Sequence, residues 1–198
     1  MQAAAPQAPL AAHALFHSTN LDEARARVAA VFCPHRLDRI GKGQIDARQH
    51  HLAGERLSLN YIQYGAKTVI APGELDRFYL LQIPLSGGAS VVNGPDHYYS
   101  SPKAAAVLNP HRPTTMIWEE GTRQVLVQID RQALMDHLSA QLGAAADRPL
   151  TFTGALDLTR QLYSANYIYP APLGGSVRDS GLIQANASWE LDFFGRNR

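Results

Sequence analysis

Between Gly43 and Ile129 the chain falls into short runs of strand-forming residues, each ended by a turn signal. About eight such runs, spaced by roughly ten residues, leave no room for crossover helices and point to a sandwich or barrel. Arg56–Tyr64 alternates Leu57, Leu59 and Tyr61 against Ser58 and Asn60, and Gly65 ends it. Thr68–Ile70 stops at Ala71-Pro72-Gly73. Phe78–Leu85 is apolar on both faces except at Gln82, the pattern of a central strand. Ser86-Gly87-Gly88 turns the chain into Ala89–Val92, and Asn93-Gly94 suits a tight hairpin turn. His97–Tyr99, Ala104–Leu108, Thr114–Trp118 and Arg123–Ile129 complete the series.

Helices flank this block. Asn20 with Glu23 three residues on is a capping-box spacing, and Leu21, Ala24, Val28 and Val31 recur at helical intervals until Pro34 intervenes. A second helix starts at the N-cap Asp130, with Ala133, Leu134, Leu138 and Leu142 as its apolar stripe and Gly143 as its stop. Residues 1–15, rich in Ala, Pro and Gln at the start, are expected to be a disordered tail, and they lack the apolar run of a secretory signal. No stretch reaches the ~20 apolar residues of a membrane span, so a cytoplasmic protein with no membrane partner is expected. From Arg160 to Arg198 no periodicity is sustained, and that tail is left without an assigned structure.

Composition narrows the chemistry. With 45% hydrophobic residues and a formal net charge of +1, the chain has the means to bury a core but no basic excess for phosphates. Direct nucleic-acid binding is therefore not expected. The single cysteine, Cys33, excludes an internal disulfide and a Cys-rich zinc site. It reads as a small buried apolar group, although His35 stands two residues away as a possible base. A metal-binding barrel needs imidazoles on one strand face, meaning an i, i+2 pair. Here His50 and His51 are adjacent and would face opposite ways, while His97 and His111 lack an acid at a usable offset. No metal or other cofactor is expected. No Gly-x-Ser-x-Gly elbow is present, and Gly65, Gly87 and Gly88 join strands rather than opening a phosphate-binding helix.

Several segments carry a family resemblance. FYLLQIPLSGGASVVNG, AAAVLNPHRPTTMIW and QVLVQIDRQALMDHL follow one another from Phe78 to Leu138. FHSTNLDEAR, FCPHRL and LSLNYIQYG precede them, and PLTFTGALDL follows. Together they resemble the N-terminal regulatory domain of AraC/XylS-type transcription regulators, the AraC-binding-like branch, from about Phe16 to Leu158. The resemblance implies a mainly β, cupin-like barrel of jelly-roll type, with an N-terminal helix and C-terminal flanking helices. It implies a small effector sensed inside the barrel, dimerisation through helices after it, and a separate helix-turn-helix domain on DNA. That DNA-binding domain, on the order of 100 residues, is expected to be absent from this chain, because too little follows Leu158. Tyr167-Ile168-Tyr169-Pro170 and Gly174-Gly175 would also break the helices the family carries there, so a truncated or altered tail is expected.

An effector pocket in such a barrel is lined by apolar side chains with a few polar groups. The candidates are residues whose polarity or size interrupts an apolar strand face: Tyr61, Gln82, Trp118, Gln124 and Gln128. Few charges accompany them, which favours a neutral, aromatic or lipid-like effector. Met135, Leu138 and Leu142 on the second helix are candidates for a homodimer contact, although the same stripe also suits packing on the barrel. The alternatives are a metal-dependent cupin enzyme, such as an isomerase or dioxygenase, and a filled barrel serving only to dimerise.

Overall fold

The computed structural model describes residues 8–142, 151–162 and 177–188. A short 3-10 turn, Ala11–His13, leads into β1 (Ala14–Ser18), α1 (Leu21–Val31), β2 (Arg36–Arg39) and β3 (Ala47–Ala53). Then come β4 (Leu57–Gln63), β5 (Thr68–Gly73), β6 (Phe78–Ser86), β7 (Ala89–Asn93) and β8 (Asp96–Ser100). They are followed by β9 (Ala106–Leu108), β10 (Thr114–Trp118), β11 (Arg123–Asp130), α2 (Arg131–Leu142), β12 (Thr151–Leu162) and β13 (Val177–Ser188).

Strands β1 to β11 form two antiparallel sheets that share one core. The first runs β1-β3-β4-β11-β6-β9 and the second β2-β5-β10-β7-β8. The fold is thus mainly β, the cupin-like arrangement expected, built as two facing sheets rather than one closed hydrogen-bonded barrel. Of the C-terminal helices expected, α2 is present, and the chain then returns as the antiparallel hairpin β12–β13, with Thr151 opposite Ser188 and Leu162 opposite Val177. The expected helix stop at Gly143 and the breaking segments around Tyr167–Pro170 and Gly174-Gly175 lie outside the described residues.

The first helix is capped as its sequence dictates, with one change. The Asn20 side chain accepts from the backbone N–H of Asp22 (2.9 Å) and Glu23 (3.0 Å). Glu23 does not reach back to Asn20 directly. Ser18 Oγ stands between them, accepting from Asn20 N–H (3.0 Å) and donating to Glu23 Oε2 (2.7 Å), so the reciprocal bond is relayed through a neighbouring hydroxyl. Ala24 and Val28 then bury the inner face of α1 against the core. At the other end, Asp130 Oδ1 caps α2 by accepting from Ala133 N–H at 2.7 Å.

The turn after β7 differs from the expected one. Asn93 pairs with Asp96 and belongs to the strand, so Gly94 and Pro95 make the turn, with Gly94 at φ 62°. This one-residue displacement sends the Asn93 side chain inward, where it is 3% exposed.

Candidate functional site

Strand register decides what faces the interior. On β11, Gln124 lies opposite Ile62, Leu126 opposite Asn60 and Gln128 opposite Ser58. On its other side the same three oppose Pro84, Gln82 and Leu80 of β6. Ile62, Leu80 and Leu126 belong to the buried core cluster, so this is the inner face of the first sheet. The second sheet answers with Ile70, Met116, Trp118 and Val91. Helix α1 and the turn after it cover the adjoining edge.

Between these layers lies a narrow cavity, about 50 Å³ of it open to the centre of a water molecule. Val28, Phe32, Cys33 and His35 line one side of it, and Gln82, Met116 and Trp118 lie among the strand residues on the others. The lining is almost wholly apolar, with no Asp, Glu, Lys or Arg in it. Three polar atoms in this lining are buried without a hydrogen-bond partner in the protein: His35 Nε2, Gln82 Oε1 and Trp118 Nε1. Buried polar groups in folded proteins are almost always paired, so three orphans in one apolar cavity mark a place built for something else.

The His35 ring is oriented by its other nitrogen. Nδ1 lies 2.9 Å from the Cys33 carbonyl oxygen, which can only accept, so Nδ1 carries the hydrogen and Nε2 presents a lone pair. Burial lowers the His35 pKa and Arg25 adds to this, against the Cys33 carbonyl bond, which raises it; the neutral ring is favoured. The Cys33–His35 pair is not a thiol with its base, because the ring engages the Cys33 backbone, and burial raises the thiol pKa.

The five residues singled out from sequence have different fates. Gln82 and Trp118 line the cavity and are 0% and 2% exposed. Gln82 Nε2 donates to Met116 Sδ at 2.9 Å, which fixes its amide and leaves Oε1 free. Gln124, also 0% exposed, faces the interior at the level of Ile62, and neither of its amide atoms has a partner in the protein. Gln128 faces inward at the opposite end, where Ser58 Oγ donates to its Oε1 at 2.9 Å and a more polar cleft opens beside Arg56 and Arg77. Tyr61 is on the outer face. It sits opposite His50, ring centroids 5.1 Å apart, and donates to Gln63 Oε1 at 2.6 Å. It is therefore not brought together with the others.

Three interior residues escaped the sequence reading. Gln49 and Asn60 are both 0% exposed. Gln49 Nε2 donates to Asn60 Oδ1 at 3.2 Å, His51 Nδ1 meets the same oxygen at 2.8 Å, and Asn60 Nδ2 donates to Ser58 Oγ at 3.1 Å. This ladder crosses the inner face beside the cavity. His35 was noticed only as a partner for Cys33. A signal did exist for Asn60, since it alternates with Ile62, but the apolar face of that strand drew the assignment. The neighbouring His50 and His51 do face opposite ways: His50 Nδ1 meets the Pro9 carbonyl at 2.6 Å and His51 turns inward. Among the described residues no three His, Cys, Asp or Glu side chains converge as a metal set. No helix among them is long and apolar enough to cross a membrane.

Gln124 offers a direct check on the unpaired interior. Replacing it with Met keeps most of its shape and removes two unpaired amide atoms. Gln124→Met should raise stability by about 1 kcal/mol, since deleting an unsatisfied buried polar group relieves its desolvation cost. A urea midpoint that falls instead would show that the amide is satisfied in solution.

Comparison with known proteins agrees with this architecture. The AraC-binding-like domain family matches residues 24–164. A probable thc operon regulatory protein of Rhodococcus erythropolis is 30% identical over 145 residues, spanning 71% of this chain and 44% of that protein. The chain thus spans less than half the length of this curated relative. Among solved structures, the AraC-like transcriptional activator CuxR is similar with a TM-score of 0.49 and 12% identity, over 65% of this chain and 52% of that one. A cupin superfamily protein of Desulfitobacterium hafniense is similar with a TM-score of 0.38 and 11% identity, over 46% of this chain and 83% of that one. With a family match over most of its length, this chain belongs to the AraC-binding-like domain family.

Proposed function

We propose that the chain is the effector-sensing part of a cytoplasmic AraC-type regulator, that it takes a small molecule into the cavity between its two sheets, and that it catalyses no reaction. The observation that carries this reading is the apolar cavity holding three unpaired, buried polar atoms. A regulator responds only if the effector binds one conformation better than another. The cavity wall includes Val28 and Phe32, so a ligand there touches α1 and the turn after it. That contact is the natural route by which occupancy alters the surface offered to a DNA-binding domain. DNA is contacted through that other domain. Self-association as a homodimer is assigned to α2, where Met135 and Leu138 are only half-buried.

A metal-dependent cupin enzyme would place its ligands on the inner strand faces. There His51 is engaged by Asn60, and His50 lies on the other face of its strand, buried against Pro9 and Tyr61, which favours sensing over metal chemistry.

The test is a thermal-shift screen of uncharged and charged small molecules against the chain and against Val28→Phe, which fills the cavity from α1. A ligand at 100 times its Kd adds about 2.7 kcal/mol, which is roughly 5–10 °C for a domain of this size. Such shifts should vanish in Val28→Phe. Shifts of equal size in both proteins would place the ligand elsewhere and defeat the proposal.

A further inference from the structure

We propose that this cavity selects an uncharged, largely apolar molecule that presents a hydrogen-bond donor to His35 Nε2 and Gln82 Oε1 and an acceptor to Trp118 Nε1. The inference rests on the effector-site reading and adds the chemistry of the ligand.

The three unpaired atoms have fixed senses. His35 Nε2 accepts, because Nδ1 spends its hydrogen on the Cys33 carbonyl. Gln82 Oε1 accepts, because its amide nitrogen is held by Met116 Sδ. Trp118 Nε1 can only donate. The cavity therefore offers two acceptors and one donor, set in walls of Ile70, Leu80, Phe78 and Leu126. Two O–H or N–H hydrogens beside an acceptor satisfy that pattern in full, a single hydroxyl pairs with Trp118 and one of the two acceptors, and an apolar body satisfies the walls.

Charged ligands fit poorly on both sides of neutrality. Among these unpaired atoms a carboxylate would find one donor, Trp118, and two lone pairs facing it. An ammonium group would find acceptors and aromatic rings, but no carboxylate lines the cavity to offset its desolvation. A pure hydrocarbon would fill the space and leave all three polar atoms unpaired. Sites with buried polar groups discriminate strongly against analogues that leave them so.

The probes are four molecules with one shared body: 4-methylphenol, para-xylene, 4-methylbenzoate and 4-methylbenzylamine. Binding to the full chain is measured by isothermal titration calorimetry at neutral pH. We expect 4-methylphenol to bind at least tenfold tighter than para-xylene, and the anion and cation to bind at least tenfold weaker than the phenol. In Gln82→Met and in Trp118→Phe the phenol-to-xylene ratio should fall several-fold, while para-xylene affinity changes less than about threefold. The xylene affinity also reports whether each variant keeps its cavity. Equal binding of phenol and xylene, lost in Val28→Phe, would keep the cavity as the site and overturn the polar selection. Tighter binding of the anion or the cation would overturn it as well. If none of the four binds at millimolar concentration, or if Val28→Phe binds them unchanged, the effector-site reading falls and takes this inference with it.

Discussion

Trp118→Ala should lower stability by about 3–5 kcal/mol, the cost of removing a buried Trp and leaving a cavity behind. Trp118 is 2% exposed, closes one wall of the interior, and lies 5.4 Å from the Tyr64 ring between centroids. Its strand neighbours at that level are Thr68 and Ala89, both small, so nothing beside it can swing in to fill the gap. Against a domain stability of about 5–15 kcal/mol, the loss is a fifth or more of the total. Trp118→Phe separates packing from polarity. It keeps a ring against Tyr64 and removes an N–H that has no partner in the protein, so it should cost only about 1 kcal/mol. Urea unfolding of both variants checks this: a midpoint for Trp118→Ala within 1 kcal/mol of the parent would mean that the ring does not hold the two sheets together.

What could be read from the residues, and what could not, follows from how each strand is buried. The strands from β4 to β11 and both helices were legible because their residues alternate or recur and because Gly and Pro punctuate them. Strands β1, β2 and β3 gave no such signal. In β2 only Leu37 is buried, and in β3 the buried positions include Gln49 and His50, so polarity does not track the inside. The inner face of β4 was misjudged for the same reason. Its more apolar face, Leu57, Leu59 and Tyr61, points outward, while Ser58, Asn60 and Ile62 point in. Places where a polar face is buried against the hydrophobic pattern are where function is expected to override folding rules. On β6 and β11 the inward positions stand out more plainly, because Gln82 and Gln124, both fully buried, interrupt strands that are otherwise apolar. The β12–β13 hairpin had almost no sequence warning, because no periodicity is sustained from Arg160 onward.

The Asn93 position shows how a correct local signal can hide a larger role, and its removal should be nearly as costly as that of Trp118. Asn93-Gly94 reads as turn chemistry, yet the turn is made by Gly94 and Pro95, and Asn93 becomes an interior clamp. Its Oδ1 accepts from Asn109 N–H at 2.9 Å. Its Nδ2 meets the carbonyls of Asn109 and Arg112, each at 3.2 Å, and Thr114 Oγ1 at 2.8 Å. All of this is buried, so water cannot readily replace the amide. Asn93→Ala leaves the Asn109 N–H unpaired, at about 1–3 kcal/mol, and the carbonyls of Asn109 and Arg112 keep only their longer bonds from Arg112 N–H and Thr114 Oγ1, both 3.3 Å, so an overall loss of about 3 kcal/mol is expected. Asn93→Asp should not rescue it. A carboxylate still accepts from Asn109 but faces two carbonyl oxygens where an amide donated. The loop so held also matters to the cavity, since the Pro110 carbonyl accepts from Leu75 N–H (3.0 Å) and Asp76 N–H (3.1 Å), and Leu75 lines the cavity. Hydrogen exchange in Asn93→Ala should therefore quicken at Asn109, Leu75 and Asp76 beyond what the lower global stability accounts for. Exchange that quickens uniformly across the domain would mean that the clamp supports the whole fold and has no particular hold on the wall of the cavity.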